Sequence, residues 1–486
     1  MTAASWLNCN TKFCRTGFKK VYSVFMLAVL VVAACAARPE KARPPEIGAR
    51  RPPDIQLGAE LVLLDKPPVM SSCIIDLEGT AHLFIVNKTG QLYHIKVLGD
   101  TITARELLGI VETEKVGFID AVEHPPGKLR VIAGDKQYYQ TVQNSKWQEI
   151  KGNRCARFVP TPNELFCAFV AKGEEVSAPE RTDYTVGWFL LIPVVYWSHA
   201  YASKIVLAEE TTRGWVVRAV VDPDTPLDAN SDFMVGVDNS GGINFLYFTS
   251  KGGGAFIIFA YGYSGGAGGT SSESKLRHVQ LPVNQLRSQS SDSKDQPPSG
   301  NGTPTRWLPF EGTPLTDKPF IKAANKYELK NIYVVLRPLN RNFSVNSSTG
   351  EINGLMWAGG EWVELSLHNS EWFSRPNVIV TKGYPASNCV WFDSDKPLIK
   401  IDGEGRFHVL LEHVERKGIW TSRKYMNYIL KNGEGWSAPL TLGSSYWYGG
   451  VSSMAVNNSG ASFVAWVNED RKFIGRWIKP GGKGTR

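Results

Sequence analysis

The chain has 486 residues, with 54 Lys and Arg against 46 Asp and Glu for a net charge of +8, 43% hydrophobic residues, 46 Gly and 28 Pro. An apolar share of that size belongs to a body with a large buried core, which excludes a disordered chain, a collagen-type repeat and a small disulfide-stapled module. The charge is concentrated at the start: residues 1–34 carry Lys12, Arg15, Lys19 and Lys20 and no acid, residues 35–53 add +3, and only +1 is left for residues 54–486. A near-neutral body has no electrostatic footprint for nucleic acid, so no nucleic-acid partner is expected.

The basic start is followed by an apolar run from Val21 to Ala34. Fourteen residues are too few to span a bilayer comfortably, and the pattern is that of an export signal over residues 1–34. The run ends in Val32-Ala33-Ala34-Cys35, which resembles the lipobox of bacterial lipoproteins. The resemblance implies lipidation of Cys35, a membrane anchor and a place in the bacterial cell envelope. Ordinary cleavage near Ala34 to Ala37, giving a secreted or periplasmic protein, and a retained apolar anchor fit the same residues. Residues 35–57 then form a tether: five prolines between Arg38 and Pro53 favour extended polyproline II and disfavour helix and ladder pairing.

From residue 58 the chain reads as all β, with period-2 apolar alternation and glycine punctuation. Four segments share one pattern, an apolar strand, Asp or Asn, two residues, Gly and a second apolar strand: Asp76 with Gly79, Asp238 with Gly241, Asp402 with Gly405, and Asn457 with Gly460. The side chain at the strand end accepts hydrogen bonds from backbone N–H groups ahead of it, and glycine supplies the positive φ of the return. Weaker copies fall at His124, Pro160 and Asn325. A tryptophan opens a later strand at Trp147, Trp215, Trp362 and Trp436, the place of an aromatic packed between neighbouring sheets.

Seven anchors over residues 58–486 predict a single β-propeller, most simply of seven four-stranded blades, with six or eight also compatible. The last unit ends one strand short at KFIGRWIK, and Ala59–Asp65 has the strand character to complete it. Insertions are expected near 171–202, 264–305, 338–350 and 370–396, the second as a flexible Gly/Ser-rich loop. The repeat, with Trp-Ser-x-Pro at Trp436 to Pro439, resembles bacterial sialidase-like, Asp-box propellers and, more loosely, fucose-type lectin propellers. It differs from a true Asp box in having two residues between Asp and Gly, and no sialidase catalytic role maps onto a matching motif. No catalytic residue is therefore assigned.

Candidate ligand residues are the aromatics outside the strand-opening positions, Trp391, Trp420, Tyr446, Trp447 and Tyr448, whose flat rings suit stacking on sugars. Asp222, Asp224, Asp228 and Asp232 crowd one loop and are the only candidate Ca2+ ligands; a solvated acidic loop has the same composition. No other cofactor is implied. Cys155 and Cys167 flank a hairpin turn and are placed either to form a disulfide or to lie buried as thiols. His82 and His408 hold equivalent second-strand positions, which marks them as repeat residues rather than a catalytic dyad. Tyr184 to Ser203 contains no charge, and fits inserted strands, an exposed docking loop or a membrane segment.

The leading expectation is an envelope-anchored, non-catalytic propeller that binds a ligand or partner, such as a glycan, on the face bearing the insertions. The alternatives are a glycan-active hydrolase or lyase with a central-pocket site, and a scaffold of an envelope protein assembly.

Overall fold

The structure is a computed structural model that describes residues 55–480 except for connecting segments, the longest being 172–180, 222–232, 266–272, 289–307, 315–338, 376–383 and 386–396. Its strands form seven sheets, antiparallel except where Leu308–Phe310 pairs parallel to Gly214–Val221. The first strand of each, Met70–Ile75, Ile119–Glu123, Arg157–Pro160, Phe233–Val237, Phe343–Val345, Leu398–Ile401 and Ser453–Val456, touches the next, and Ser453–Val456 touches Met70–Ile75 again. An unbroken cycle of seven inner strands is a seven-bladed β-propeller. We number the blades 1 to 7 in that order.

One hydrogen bond recurs at the end of every inner strand. The backbone N–H of Asp76, His124, Thr161, Asp238, Asn346, Asp402 and Asn457 donates across the turn to a carbonyl of the return strand. Where the turn residue is Asp or Asn, its Oδ1 also accepts a backbone N–H two or four residues on, as from Thr80 to Asp76 at 2.8 Å and from Ala461 to Asn457 at 2.9 Å. Gly79, Gly127, Gly241, Gly405 and Gly460, each three residues after the turn residue, have φ between +76° and +84°. A side chain there would be strained, which is why the sequence repeats Gly at that offset.

The fifth blade differs from its sequence reading. Its turn residue is Asn346, inside the stretch expected to be an insertion at 338–350, and Gly350 follows at a longer offset with φ +74°. Asn325 lies outside the described residues. In blade 3 the turn residue is Thr161, one place after Pro160, because proline has no N–H to donate; the Thr161 hydroxyl accepts from the Glu164 N–H at 3.1 Å. The stretch 264–305, read as a flexible loop, contains the third strand of blade 4, Glu273–Pro282, with Leu276, Val279 and Leu281 buried. Gly- and Ser-rich flanks conceal its apolar pattern. Glu371–Arg375, within 370–396, is likewise the outer strand of blade 5.

The ring closes as the missing last strand requires. The third strand of blade 7, Phe473–Pro480, pairs with both Leu61–Leu64 and Ile55–Leu57. Leu63 is fully buried in a cluster shared with Ala81 and Leu83 of blade 1 and Phe463 and Trp477 of blade 7. Arg105 of blade 1 donates to the Leu63 carbonyl at 2.7 Å. The strand-opening tryptophans pack between sheets: Trp147 of blade 2 meets Phe84 of blade 1 edge-on at 5.6 Å, and Trp362 of blade 5 is 1% exposed in a cluster with Ile399 and Val409 of blade 6. Arg130 of blade 2 grips Glu210 of blade 3 with both terminal guanidinium nitrogens.

Antiparallel order sorts the connections onto two faces. Turns from first to second and from third to fourth strands lie on one face, the turn face; second-to-third connections and the passages between blades lie on the other, the loop face. The uncharged stretch near Tyr184 forms a hairpin, Arg181–Phe189 with Ile192–Ala200. The hairpin interrupts blade 3, yet its second strand pairs with Lys251–Ile257 of blade 4. Among the described residues no helix is long and apolar enough to cross a membrane.

Cys155 and Cys167 are joined by a disulfide with Cα atoms 5.5 Å apart, and Cys73 is a free, buried cysteine.

Candidate functional site

The turn residues do more than turn. In blade 1 the His82 Nε2–H donates to Asp76 Oδ2 at 2.8 Å, which leaves Nδ1 to accept from His94 Nε2 at 2.9 Å. In blade 6 the His408 Nε2–H donates to Asp402 Oδ2 at 3.0 Å, and His408 Nδ1 faces the Tyr428 and Ser462 hydroxyls at 2.5 and 2.9 Å. The carboxylate, imidazole and hydroxyl order is that of a nucleophilic triad. Ser462 is nevertheless 0% exposed and His408 1%, so no substrate reaches them, and the groups act as a lock between blades 6 and 7. Burial lowers the pKa of His82, His94 and His408, which keeps all three neutral near pH 7.

Blade 4 carries a related network at the edge of a cleft. Asp238 Oδ1 accepts the N–H groups of Ser240 and Gly242 at 2.9 and 2.8 Å, and Oδ2 accepts amide N–H from Asn244 and Gln280 at 3.2 and 3.0 Å. Burial works to raise the Asp238 pKa, but these donors outweigh it and hold the carboxylate below its usual range. Asn244 Oδ1 in turn accepts from His278 Nε2 at 3.1 Å. Burial lowers the His278 pKa to about 4, so the ring is neutral, with Nε2 as donor and Nδ1 as acceptor.

This chain of polar groups forms one wall of a cleft of about 410 Å³ on the turn face between blades 4 and 5. The opposite wall is the five-residue turn of blade 5, with Ser348, Thr349 and Gly350, backed by Ile352, Leu367 and His368. The turns are tied together where Asn239 donates its N–H to the Ser347 carbonyl at 2.6 Å. Glycine at 350 suits this approach, because its φ is +74° and a Cβ there would lie 3.3 Å from Asp238 Oδ2. Hydroxyls, amides and imidazoles beside a small apolar floor suit a ligand rich in hydroxyls and bearing an apolar patch. Asp238 is the single carboxylate among the lining residues, and its oxygens are occupied within its own blade.

A second cleft, of about 470 Å³, adjoins the first at Asp238 and Asn239 and is bordered by Pro125, Pro126, Pro160 and Pro162 of the blade 2 and 3 turns. His124 crosses between those turns, with its Nε2 3.1 Å from the Thr161 carbonyl.

The residues singled out from sequence fall elsewhere. Cys35, Trp391, Trp420, Trp447, Tyr448, Asp222, Asp224, Asp228 and Asp232 lie outside the described residues. Tyr446 is half-buried, packs against the blade 7 and blade 1 core, and has the Arg471 guanidinium 5.3 Å from its ring centre. Among the described residues no three His, Cys, Asp or Glu side chains gather to hold a metal ion. The cleft residues were present in the sequence only as turn chemistry; the traceable signal was Asn244, His278 and Gln280 recurring on alternate positions of adjoining strands.

No family model matches the chain, and no curated protein matches it. Solved structures resemble it at low identity. A lectin of Burkholderia pseudomallei, BP39L, shares 9% identity at a TM-score of 0.41, covering 86% of this chain and 99% of its own. The Aleuria aurantia lectin, a fungal lectin with a six-bladed propeller and a fucose recognition mode, shares 11% identity at a TM-score of 0.32, covering 78% and 97%. A polysaccharide lyase, Uly1, shares 7% identity at a TM-score of 0.39, covering 87% and 99%. The blade number rests on the strand order of this chain alone.

Proposed function

We propose that the chain is a non-catalytic, glycan-binding propeller, held at a bacterial cell envelope by a lipidated Cys35 and the proline-rich tether. The observation that carries the binding reading is the cleft between blades 4 and 5, where neutral donors and acceptors on His278, Gln280, Ser348 and Thr349 surround an apolar floor of Ile352 and Leu367. A pyranose presents the matching surface, hydroxyls at its edge and C–H groups on a face. Binding rather than cleavage is favoured because glycoside hydrolysis requires two facing carboxylates roughly 5 to 9.5 Å apart. The lining offers Asp238 alone.

The test is a glycan array probed with the full chain, with the bound glycans recovered and checked for cleavage. Binding without products is expected; products on any retained glycan would turn the reading to an enzyme. The anchor is tested apart from the ligand: Cys35→Ser is expected to move the protein from the membrane to the soluble fraction, and unchanged membrane retention would remove the lipid from the account.

A further inference from the structure

The second cleft is built from different chemistry than the first. Where blade 4 follows its turn residue with Asn239 and Ser240, blade 2 has Pro125 and Pro126, and blade 3 has Pro162 and Asn163. These three prolines and Pro160 are exposed at the border of the cleft. Proline has no N–H, so each presents ring C–H surface and a carbonyl but no donor. Other polar groups of the lining are already engaged. Glu123 Oε2 accepts the Leu77 N–H at 3.0 Å and Oε1 the Gly127 N–H at 2.6 Å, while the Thr161 hydroxyl donates to the Glu164 carbonyl at 2.9 Å. The exposed carboxamides of Asn163 and Asn239 are left to meet a ligand beside this apolar surface. A pyranose laid on the prolines by its C–H face would turn its edge hydroxyls to those amides.

The two clefts, of about 410 and 470 Å³, share the turn of blade 4, because Asp238 and Asn239 line both. The bond from the Asn239 N–H to the Ser347 carbonyl holds that turn at the junction. Asn239 is exposed there, so its carboxamide is within reach of groups on either side. A ligand that fills one cleft and continues over the blade 4 turn enters the other.

Charge selects among such ligands. Among the described residues no Lys or Arg lines either cleft, whereas Glu123 and Asp238 contribute carboxylates. Burial lowers the pKa of His124 and His278, which keeps both rings neutral near pH 7, and His368 Nδ1 has the Glu351 carboxylate 3.5 Å away. An acidic sugar would meet like charge with no cation to pair it.

We propose that the two clefts form one extended site for a neutral oligosaccharide of at least two units, one between blades 4 and 5 and the next on the prolines of blades 2 and 3. This rests on the glycan-binding reading and adds to it the length and the charge of the glycan.

The test starts from an array carrying neutral and acidic oligosaccharides. Neutral ones are expected to be retained by the full chain and acidic ones rejected. The shortest neutral oligosaccharide retained, and the methyl glycosides of its constituent sugars, are then titrated calorimetrically into the wild type and into Asn163→Ala. The oligosaccharide is expected to bind at least about tenfold more tightly than any of the methyl glycosides. Asn163→Ala is expected to weaken the oligosaccharide about three- to tenfold and to leave the tightest methyl glycoside unchanged, a difference that misfolding cannot imitate. Equal affinity for the oligosaccharide and one of its single sugars, an Asn163→Ala effect that is absent or shared by both ligands, or retention of acidic glycans would each overturn the proposal while glycan binding stands. An array that retains no glycan would remove both.

Discussion

Asp402→Ala is expected to destabilise the protein by about 3–5 kcal/mol, because one carboxylate serves four partners in a buried place. Its oxygens accept from the Glu404 and Arg406 N–H groups at 2.9 Å each, from Arg406 Nε at 2.6 Å and from His408 Nε2 at 3.0 Å. Removing it strands an imidazole that is 1% exposed and frees Arg406 from a position where it also donates to the Ser459 carbonyl of blade 7 at 2.8 Å. Asn457→Ala, which removes an equivalent but half-buried acceptor, is expected to cost about 1–2 kcal/mol. Urea unfolding of both variants checks the difference; equal losses would show that the turn, and not the Asp402–His408 lock, carries the energy.

The same network sets a pH dependence. Burial opposes Asp402 ionisation, but its hydrogen bonds from His408 and Arg406 prevail and lower its pKa to about 2, so its stabilisation is complete above the usual carboxylate range and is lost toward pH 2. The histidines act earlier. His278 has its pKa lowered to about 4, so it favours the folded state fully above pH 6.5 and loses that contribution as pH falls toward 4. Allowing for partial exposure, that loss is about 2–3 kcal/mol. Unfolding free energies measured at pH 7.5 and pH 5 are expected to fall together with pH, and His278→Asn is expected to flatten the slope.

The largest effect is expected at the closure of the ring. Leu63→Asp introduces a carboxylate into an apolar cluster at a site with 0% exposure, at a cost of at least about 4 kcal/mol. Val62 on the same strand is 42% exposed and points to the other side, so Val62→Asp is expected to change stability by no more than about 0.5 kcal/mol. Thermal unfolding of the two variants discriminates between a strand that closes the core and one that merely lies on it: equal effects would remove Leu61–Leu64 from the closure.

Most of the ring was legible because its turns are local. Asp76, Asp238, Asp402 and Asn457 each announce a strand end within five residues, through a side chain that caps the turn and a glycine that must have positive φ. Blade 5 was misplaced because Asn346 to Gly350 spends one more residue in its turn, while the segment around Asn325 imitates the shorter pattern. The third strand of blade 4 was hidden by the Gly- and Ser-rich composition beside it.

The cleft was not legible for a different reason. Asp238 and Thr349 are far apart in sequence and meet only because consecutive blades set their turns side by side. Aromatic residues drew the sequence reading toward sugar stacking, whereas the described clefts open on the turn face and are lined mainly by polar side chains and prolines.

The most direct test of the glycan-binding account is a calorimetric titration of the glycan retained on the array into the full chain and into Thr349→Trp. Thr349 is exposed at the lip of the cleft, so an indole there fills the space without disturbing the core. The account predicts that Thr349→Trp unfolds at the wild-type temperature and binds at least about tenfold more weakly, a loss of about 1.4 kcal/mol. Undiminished affinity in that variant would contradict it.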